Sequence, residues 1–328
     1  VLLVNNIVRS VTRKDGDPLR CLTFCRENEK YLELLSKANC EIYVIVREGL
    51  SDWKSEMVPI PNNVFVLNQS IEETNISFFD CVIANDRLQE FDTMSDLSRQ
   101  LHLPMITIDH ASKQILQKLP FTNSVQTTDP LDRKTGIVSV SVDSDIGNSW
   151  KGVSPGGLSL NIPFYIDMQK YRGADTKAKK EGAIIDNNVA DPIMKLFESS
   201  LNGVVLSPLF IPSEAPESVL RHAKVYVSTW SGLNLKLLEA MSSECIVVVP
   251  RNIDTESVIQ DNYNGYLFST LAELRDIVPK CLKQKGDEIG KRARNTIKDK
   301  YLSDLDTFTD KWNHVFNYVS NSFFSIAQ

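Results

Sequence analysis

The sequence predicts a doubly wound α/β protein with two Rossmann-like domains, each built on a parallel sheet. Three observations predict it. Short apolar runs alternate with amphipathic stretches of helical length from one end of the chain to the other, the trace that successive βαβ units leave. Residues 225–268 (VYVSTWSGLNLKLLEAMSSECIVVVPRNIDTESVIQDNYNGYLF) compress strand, glycine turn, helix and strand into one stretch, and such a unit requires parallel pairing. The length of 328 residues suffices for two separate cores.

Taken in order, residues 1–4 read as a first strand and 5–16 as a polar, basic segment. Asp17-Pro18 is a helix-start signal with proline at the first helical position. It predicts a helix to about Lys37, with Leu19, Leu22, Cys25, Tyr31, Leu34 and Leu35 as its apolar stripe. Strands follow at 42–46, 64–67, 79–84 and 105–108, the last preceded by a helix rich in Asp, Gln and Ser. After a charged turn at 129–135 come a strand at 137–142 and a Gly/Ser/Pro-rich loop at 147–157. The polar, lysine-rich run 169–181 reads as an interdomain connection.

The second half repeats the alternation. Strands are predicted at 183–185, 204–206, 225–227 and 246–249, and helices at 190–199, 216–222 and 235–242. Asn234 is placed to cap the last of these. An amphipathic helix at 271–285, a basic one at 287–301 and a final helix at about 305–319 complete the chain. The final helix puts Phe308, Trp312, Val315, Phe316 and Val319 on one face.

Composition narrows the function classes. A net charge of -6 and a pI near 5.4 exclude a global basic field for nucleic acid, though not a local basic groove. No apolar run approaches the roughly 20 residues of a membrane span, and neither end reads as a signal peptide. Of the six cysteines, Cys21 and Cys25 are one helical turn apart and could share a metal. Without a second Cys/His pair the reading is buried, reduced thiols in a cytoplasmic protein.

The best candidate for chemistry is the helix after Gly232. Its first amides and dipole offer a positive end to a phosphate. Glu239, one to two turns along, is either a carboxylate that accepts from two vicinal hydroxyls of a ribose or a solvent-facing helix residue. Trp230, on the turn beside it, either stacks on a base or sugar or packs internally. His222 and His314 read as surface groups and Trp312 as core. Lys291, Arg292, Arg294, Lys298 and Lys300 read as a solvated helix face.

Residues 231–241, SGLNLKLLEAM, resemble the donor-binding motif E-G-F-G-x-P-x-x-E-A-M of family-4-type, retaining glycosyltransferases with the GT-B fold. The similarity continues in order. Residues 245–249 resemble that family's P-V-V-A strand, and Glu256 to Leu267 resembles its E-V-I-x-x-G-x-N-G-x-L segment. PMITIDH, ending at His110, resembles the P-V-V-x-T-x-H strand end, and IPFYIDMQKY resembles I-P-N-G-V-D-x-x-x-F. The terminal aromatic helix resembles the one that crosses back onto the first domain.

The resemblance implies two Rossmann-like domains facing across a cleft: residues 1–167 on the acceptor side, 168–304 for the nucleotide-sugar donor, and 305–328 as the returning helix. It implies a hexosyltransferase-type enzyme that moves a sugar from a nucleotide donor, most simply a UDP-sugar such as UDP-glucose, without a cofactor or a metal. Glu239 would hold the ribose, and the amides around Gly232, Leu233, Asn234 and Leu235 the sugar and diphosphate. His110 and Ser231 would face the transferred sugar as the catalytic pair, and Glu256 and Trp230 the nucleotide. The acceptor stays open among saccharide, glycoprotein, lipid-linked sugar and modified DNA base.

Several positions depart from the family pattern. Ser231 replaces its first glutamate, and Asp186-Asn187-Asn188 stand where Arg and Lys usually meet the diphosphate. Phe164-Tyr165 replace Asn-Gly, and a strand and helix are missing before Val204. The 5–16 segment lacks the usual glycine pair but carries Arg9, Arg13 and Lys14. These changes leave two alternatives: a sugar-nucleotide 2-epimerase-like enzyme, and a non-catalytic GT-B binding module.

Overall fold

The computed structural model describes residues 16–25, 29–45, 53, 55, 58–67, 78–85, 89–116, 138–150, 158–174, 181–186, 206–209, 215–230 and 232–324. The strand expected at 1–4, the cations Arg9, Arg13 and Lys14, the turn at 129–135, the helix at 190–199, Asn187, Asn188 and Ser231 lie outside the described residues. Two compact units divide the chain: residues 1–163 with 306–328, and Phe164–Leu305.

Unit 1 is built on seven parallel strands in the order β3-β2-β1-β4-β5-β6-β7. These are β1 Leu19–Phe24, β2 Cys40–Ile45, β3 Val64–Leu67, β4 Cys81–Ala84, β5 Met105–Asp109, β6 Val138–Ser141 and β7 Leu158–Asn161. The helices are α1 Glu29–Leu35, α2 Gln89–Leu101, α3 Lys113–Leu116 and α4 Ser144–Ser149. Helix α2 lays Phe91, Met94, Leu97 and Leu101 onto Leu22, Val82, Ala84 and Met105 of the sheet. Burying such a stripe is what holds a helix of this length in place.

The predicted helix from Asp17-Pro18 to Lys37 is therefore half wrong. Leu19–Phe24 forms the central strand, paired in parallel with β2 on one side and β4 on the other. A strand buried on both faces has no alternation to show, so its apolar residues mimic a helical stripe. Only Glu29–Leu35 is helical. Cys21 and Cys25 are accordingly not one helical turn apart. Cys21 Sγ lies 3.4 Å from Cys81 Sγ across the strand pair, and all six cysteines are buried and unbridged. The loop expected at 147–157 begins inside α4, which Asp143 caps through its carboxylate to the Asp145 amide at 2.8 Å. Strand β7 carries no strand signal in the sequence, because Leu-Ser-Leu-Asn is short and contains serine.

Unit 2 is built on five parallel strands in the order β12-β11-β10-β8-β9. They are β8 Glu181–Ile185, β9 Leu206–Pro208, β10 Ala223–Val227, β11 Ile246–Pro250 and β12 Tyr266–Phe268. The helices are α5 Pro216–His222, α6 Leu235–Ser242, α7 Ile253–Glu256, α8 Leu271–Lys283 and α9 Glu288–Lys300. Helix α8 packs Leu274, Val278 and Cys281 on Val225, Val227, Ile246 and Val248. Arg294 of α9 is turned inward and does not join the solvated face expected of it. Its guanidinium donates to the carbonyls of Tyr171, Met168 and Ser242, stapling 168–171 to the end of α6.

The last helix, α10 Leu305–Phe324, belongs to unit 1 from Asp306 onward. Phe308, Trp312, Val315, Phe316 and Val319 are all buried, as the stripe predicts. In each sheet the chain reverses its direction of travel once, between β1 and β4 in unit 1 and between β8 and β10 in unit 2. Ligands of doubly wound sheets bind at the carboxyl ends of strands beside such points.

Candidate functional site

At the unit 2 reversal, Asp186 follows β8 and Ser228 follows β10. The Asp186 amide donates to Val227 O at 3.1 Å, so the two strand ends stay paired. After the turn that contains Trp230 and Gly232, Asn234 caps α6: its Oδ1 accepts from the Leu237 amide at 2.8 Å. The side chains of Leu233 and Leu235 are buried, so what these residues offer a ligand is backbone. The amides of Leu235 and Lys236 precede the first intrahelical bond, from Leu238 N to Asn234 O, and carry the positive end of the helix dipole.

Beneath that helix start lies a buried polar group. Lys236 Nζ donates to Asp186 Oδ1 at 2.9 Å, and Tyr226 OH donates to Asp186 Oδ2 at 3.2 Å. Asp186 is only 1% exposed. Glu239, at 4% exposure, is buried and not the solvent-facing helix residue of the second alternative. Burial pushes the Tyr226 phenol well above its ordinary range, and the charges of Asp186 and Glu239 push the same way. Asp186 and Lys236 thus meet at the end of β8 and the start of α6, beside a Tyr226 that also feels the charge of Glu239. Lys236, which stands where the resembled motif has proline, brings an ammonium to the end of β8.

Trp230 is 46% exposed, so its packing alternative falls away. Glu256 ends α7, after β11, and is held by Arg251 Nη1 at 3.1 Å, while Arg251 Nη2 holds Asp261. His222 and His314 are exposed on helices, as expected. No group of three or more His, Cys, Asp or Glu suited to a metal is present among the described residues. None of their helices is long and apolar enough to cross a membrane.

His110 belongs to unit 1. It follows β5, and its ring meets Tyr31 of α1 edge-on, with centroids 4.8 Å apart. Tyr31 in turn contacts Phe308 and Trp312 of α10, each at 6.5 Å. Burial in this aromatic setting lowers the imidazole to about 4, so it is neutral near pH 7.

No family model matches the chain, and no curated protein matches it. Solved structures do. HepE of Anabaena in complex with UDP-glucose superposes with a TM-score of 0.63 at 13% identity, over 91% of this chain and 99% of that one. Sucrose-phosphate synthase of Thermosynechococcus elongatus gives 0.61 at 11% identity, over 93% and 100%. A glycosyltransferase of Rickettsia africae gives 0.54 at 10%, over 92% and 99%. At these identities the likeness is one of fold, and the fold is GT-B, as the sequence resemblance implies.

Proposed function

We propose that the protein is a glycosyltransferase that takes its sugar from a nucleotide-sugar donor, with UDP-glucose as the first candidate. The observation that carries the reading is the buried Glu239 beside the Lys236–Asp186 pair at the start of α6. A carboxylate held there accepts from two vicinal ribose hydroxyls. The α6 amides and Lys236 meet the diphosphate, whose charge grows as the glycosidic bond breaks, and fixed dipoles stabilise it without reorganising. Trp230 offers an exposed ring for the base or the sugar. This arrangement functions without a metal, and retention of anomeric configuration belongs to the same proposal. Ser231 and Glu256 are proposed to meet the donor sugar and the nucleotide. His110, neutral at working pH, is proposed as a hydrogen-bonding group for a sugar and not as a cation.

The fold of HepE, whose structures hold UDP and UDP-glucose, supports a UDP-sugar in this position. The acceptor class stays as open as in the sequence. Six unbridged thiols fit a reducing compartment such as the cytoplasm. One observation favours a second reading, a non-catalytic binding module. Asp186 holds Lys236 at 2.9 Å, so that ammonium is already engaged by a carboxylate where an anion would sit. Radiolabelled transfer from UDP-glucose to a saccharide panel separates the two: transfer supports the enzyme, and donor binding without transfer or hydrolysis supports the module.

A further inference from the structure

The ion pair at the start of α6 is built so that one partner can leave and the other cannot. Asp186, the first residue after β8, is buried, and its amide is fixed to Val227 O at 3.1 Å. Its carboxylate accepts twice, from Lys236 Nζ at 2.9 Å and from Tyr226 OH at 3.2 Å. Tyr226 is itself fully buried in β10, so its hydroxyl stays in place when the ammonium moves. Lys236 differs from both. It is the second residue of α6, keeps part of its side chain in water, and carries its charge on a flexible four-carbon stem.

The ammonium shares this helix start with the Leu235 and Lys236 amides, which precede the first intrahelical bond. Amides and dipole together favour an anion there. A carboxylate in contact with the same ammonium competes with that anion by holding the cation and by repelling the charge. If the ammonium turns to an anion, Asp186 keeps the Tyr226 hydroxyl and is not left as a bare buried charge.

We propose that the Asp186 carboxylate is an internal competitor, which holds Lys236 until the diphosphate of a nucleotide takes the ammonium over in exchange. The proposal rests on the glycosyltransferase reading only for the identity of the anion. The exchange itself needs no more than an anion at the start of α6. Tyr226 is then a positioning residue, the donor that stays with Asp186 and lowers the cost of releasing Lys236.

Calorimetry of the full chain at one ionic strength, with UDP and with inorganic pyrophosphate, reads the exchange. Asp186→Asn keeps the size of the side chain and an oxygen for Tyr226. It is expected to bind both anions at least about tenfold more tightly than wild type, a gain that damage to the fold does not produce. In a Lys236→Met background the same substitution is expected to gain less than about threefold, because no ammonium is left to release. Tyr226→Phe is expected to weaken both anions, and it decides alone if Asp186→Asn fails to fold. Unchanged or weaker binding in folded Asp186→Asn overturns the proposal. So does an equal gain in the Lys236→Met background, which is plain charge repulsion, and so does wild-type affinity in folded Tyr226→Phe. The two readings fail separately. A wild type that binds UDP, with no gain in Asp186→Asn, keeps the transferase reading and loses the exchange. A gain for pyrophosphate with no UDP bound by either protein keeps the exchange and loses the transferase reading. No binding of either anion by wild type or variant overturns both.

Discussion

Replacing Lys236 with methionine keeps the bulk of the side chain and removes the ammonium 2.9 Å from Asp186 Oδ1. At that distance and an effective dielectric of about 20, the gross attraction is about 6 kcal/mol. Stripping water from both groups offsets much of it, and breaking such a pair from one side costs about 3–5 kcal/mol because the partner stays buried and charged. Asp186 is the more deeply buried partner, with a side chain 2% exposed against 22% for Lys236. Tyr226 OH still donates to Asp186 and the Lys236 side of the pair is partly open to water, so the cost of Lys236→Met is placed near the lower end, about 3 kcal/mol. Asp186→Asn frees an ammonium that can swing into water, so its cost is about 1 kcal/mol. The double variant is expected to resemble Asp186→Asn, leaving a coupling of about 3 kcal/mol in magnitude. A chain of two units need not unfold in one step, so the loss is read from hydrogen exchange at β8 and β10 beside chemical denaturation. Lys236→Met within about 0.5 kcal/mol of wild type, the range of an ordinary surface substitution, refutes the pairing as described.

Two further outcomes follow from single contacts. A Cβ on Gly290 of α9 would run into the carbonyl oxygen of Glu244, and backbone cannot yield as a side chain does. Gly290→Ala is thus expected to cost about 1–3 kcal/mol in thermal or urea unfolding despite the better helix propensity of alanine. His110, lowered by burial to about 4, binds its proton more weakly than the free imidazole at 6.5. Between these values the unfolded chain holds the extra proton, so the contribution is full above pH 6.5 and lost as pH falls toward 4. It amounts to on the order of 3 kcal/mol. His110→Gln should flatten the stability profile over that window, and an unchanged slope contradicts the lowered, neutral imidazole.

The stretch from Val225 to Phe268 was readable because each signal in it is local. A short apolar strand, a glycine turn, Asn234 in front of an apolar helix and a second strand ending in proline sit side by side in the chain. What stayed hidden depends on the third dimension. Lys236 reaches Asp186 across 50 residues of chain, and no pattern around either residue announces the other. The burial of Glu239 depends on how α6 packs against β11 and α9, which a mixed apolar helix does not disclose. Leu19–Phe24 failed for a different reason. A central parallel strand is apolar on both faces, and Asp17-Pro18 supplied a helix signal where the chain enters a sheet.

The central claim is that Glu239 and the start of α6 hold a nucleotide sugar, and calorimetry with UDP-glucose on Glu239→Ala tests it most directly. Losing two hydrogen bonds to a charged carboxylate, each worth about 1.5–3 kcal/mol, is expected to weaken binding at least a hundredfold while the circular dichroism and melting of the folded chain persist. Wild-type affinity for UDP-glucose in a folded Glu239→Ala protein contradicts the account.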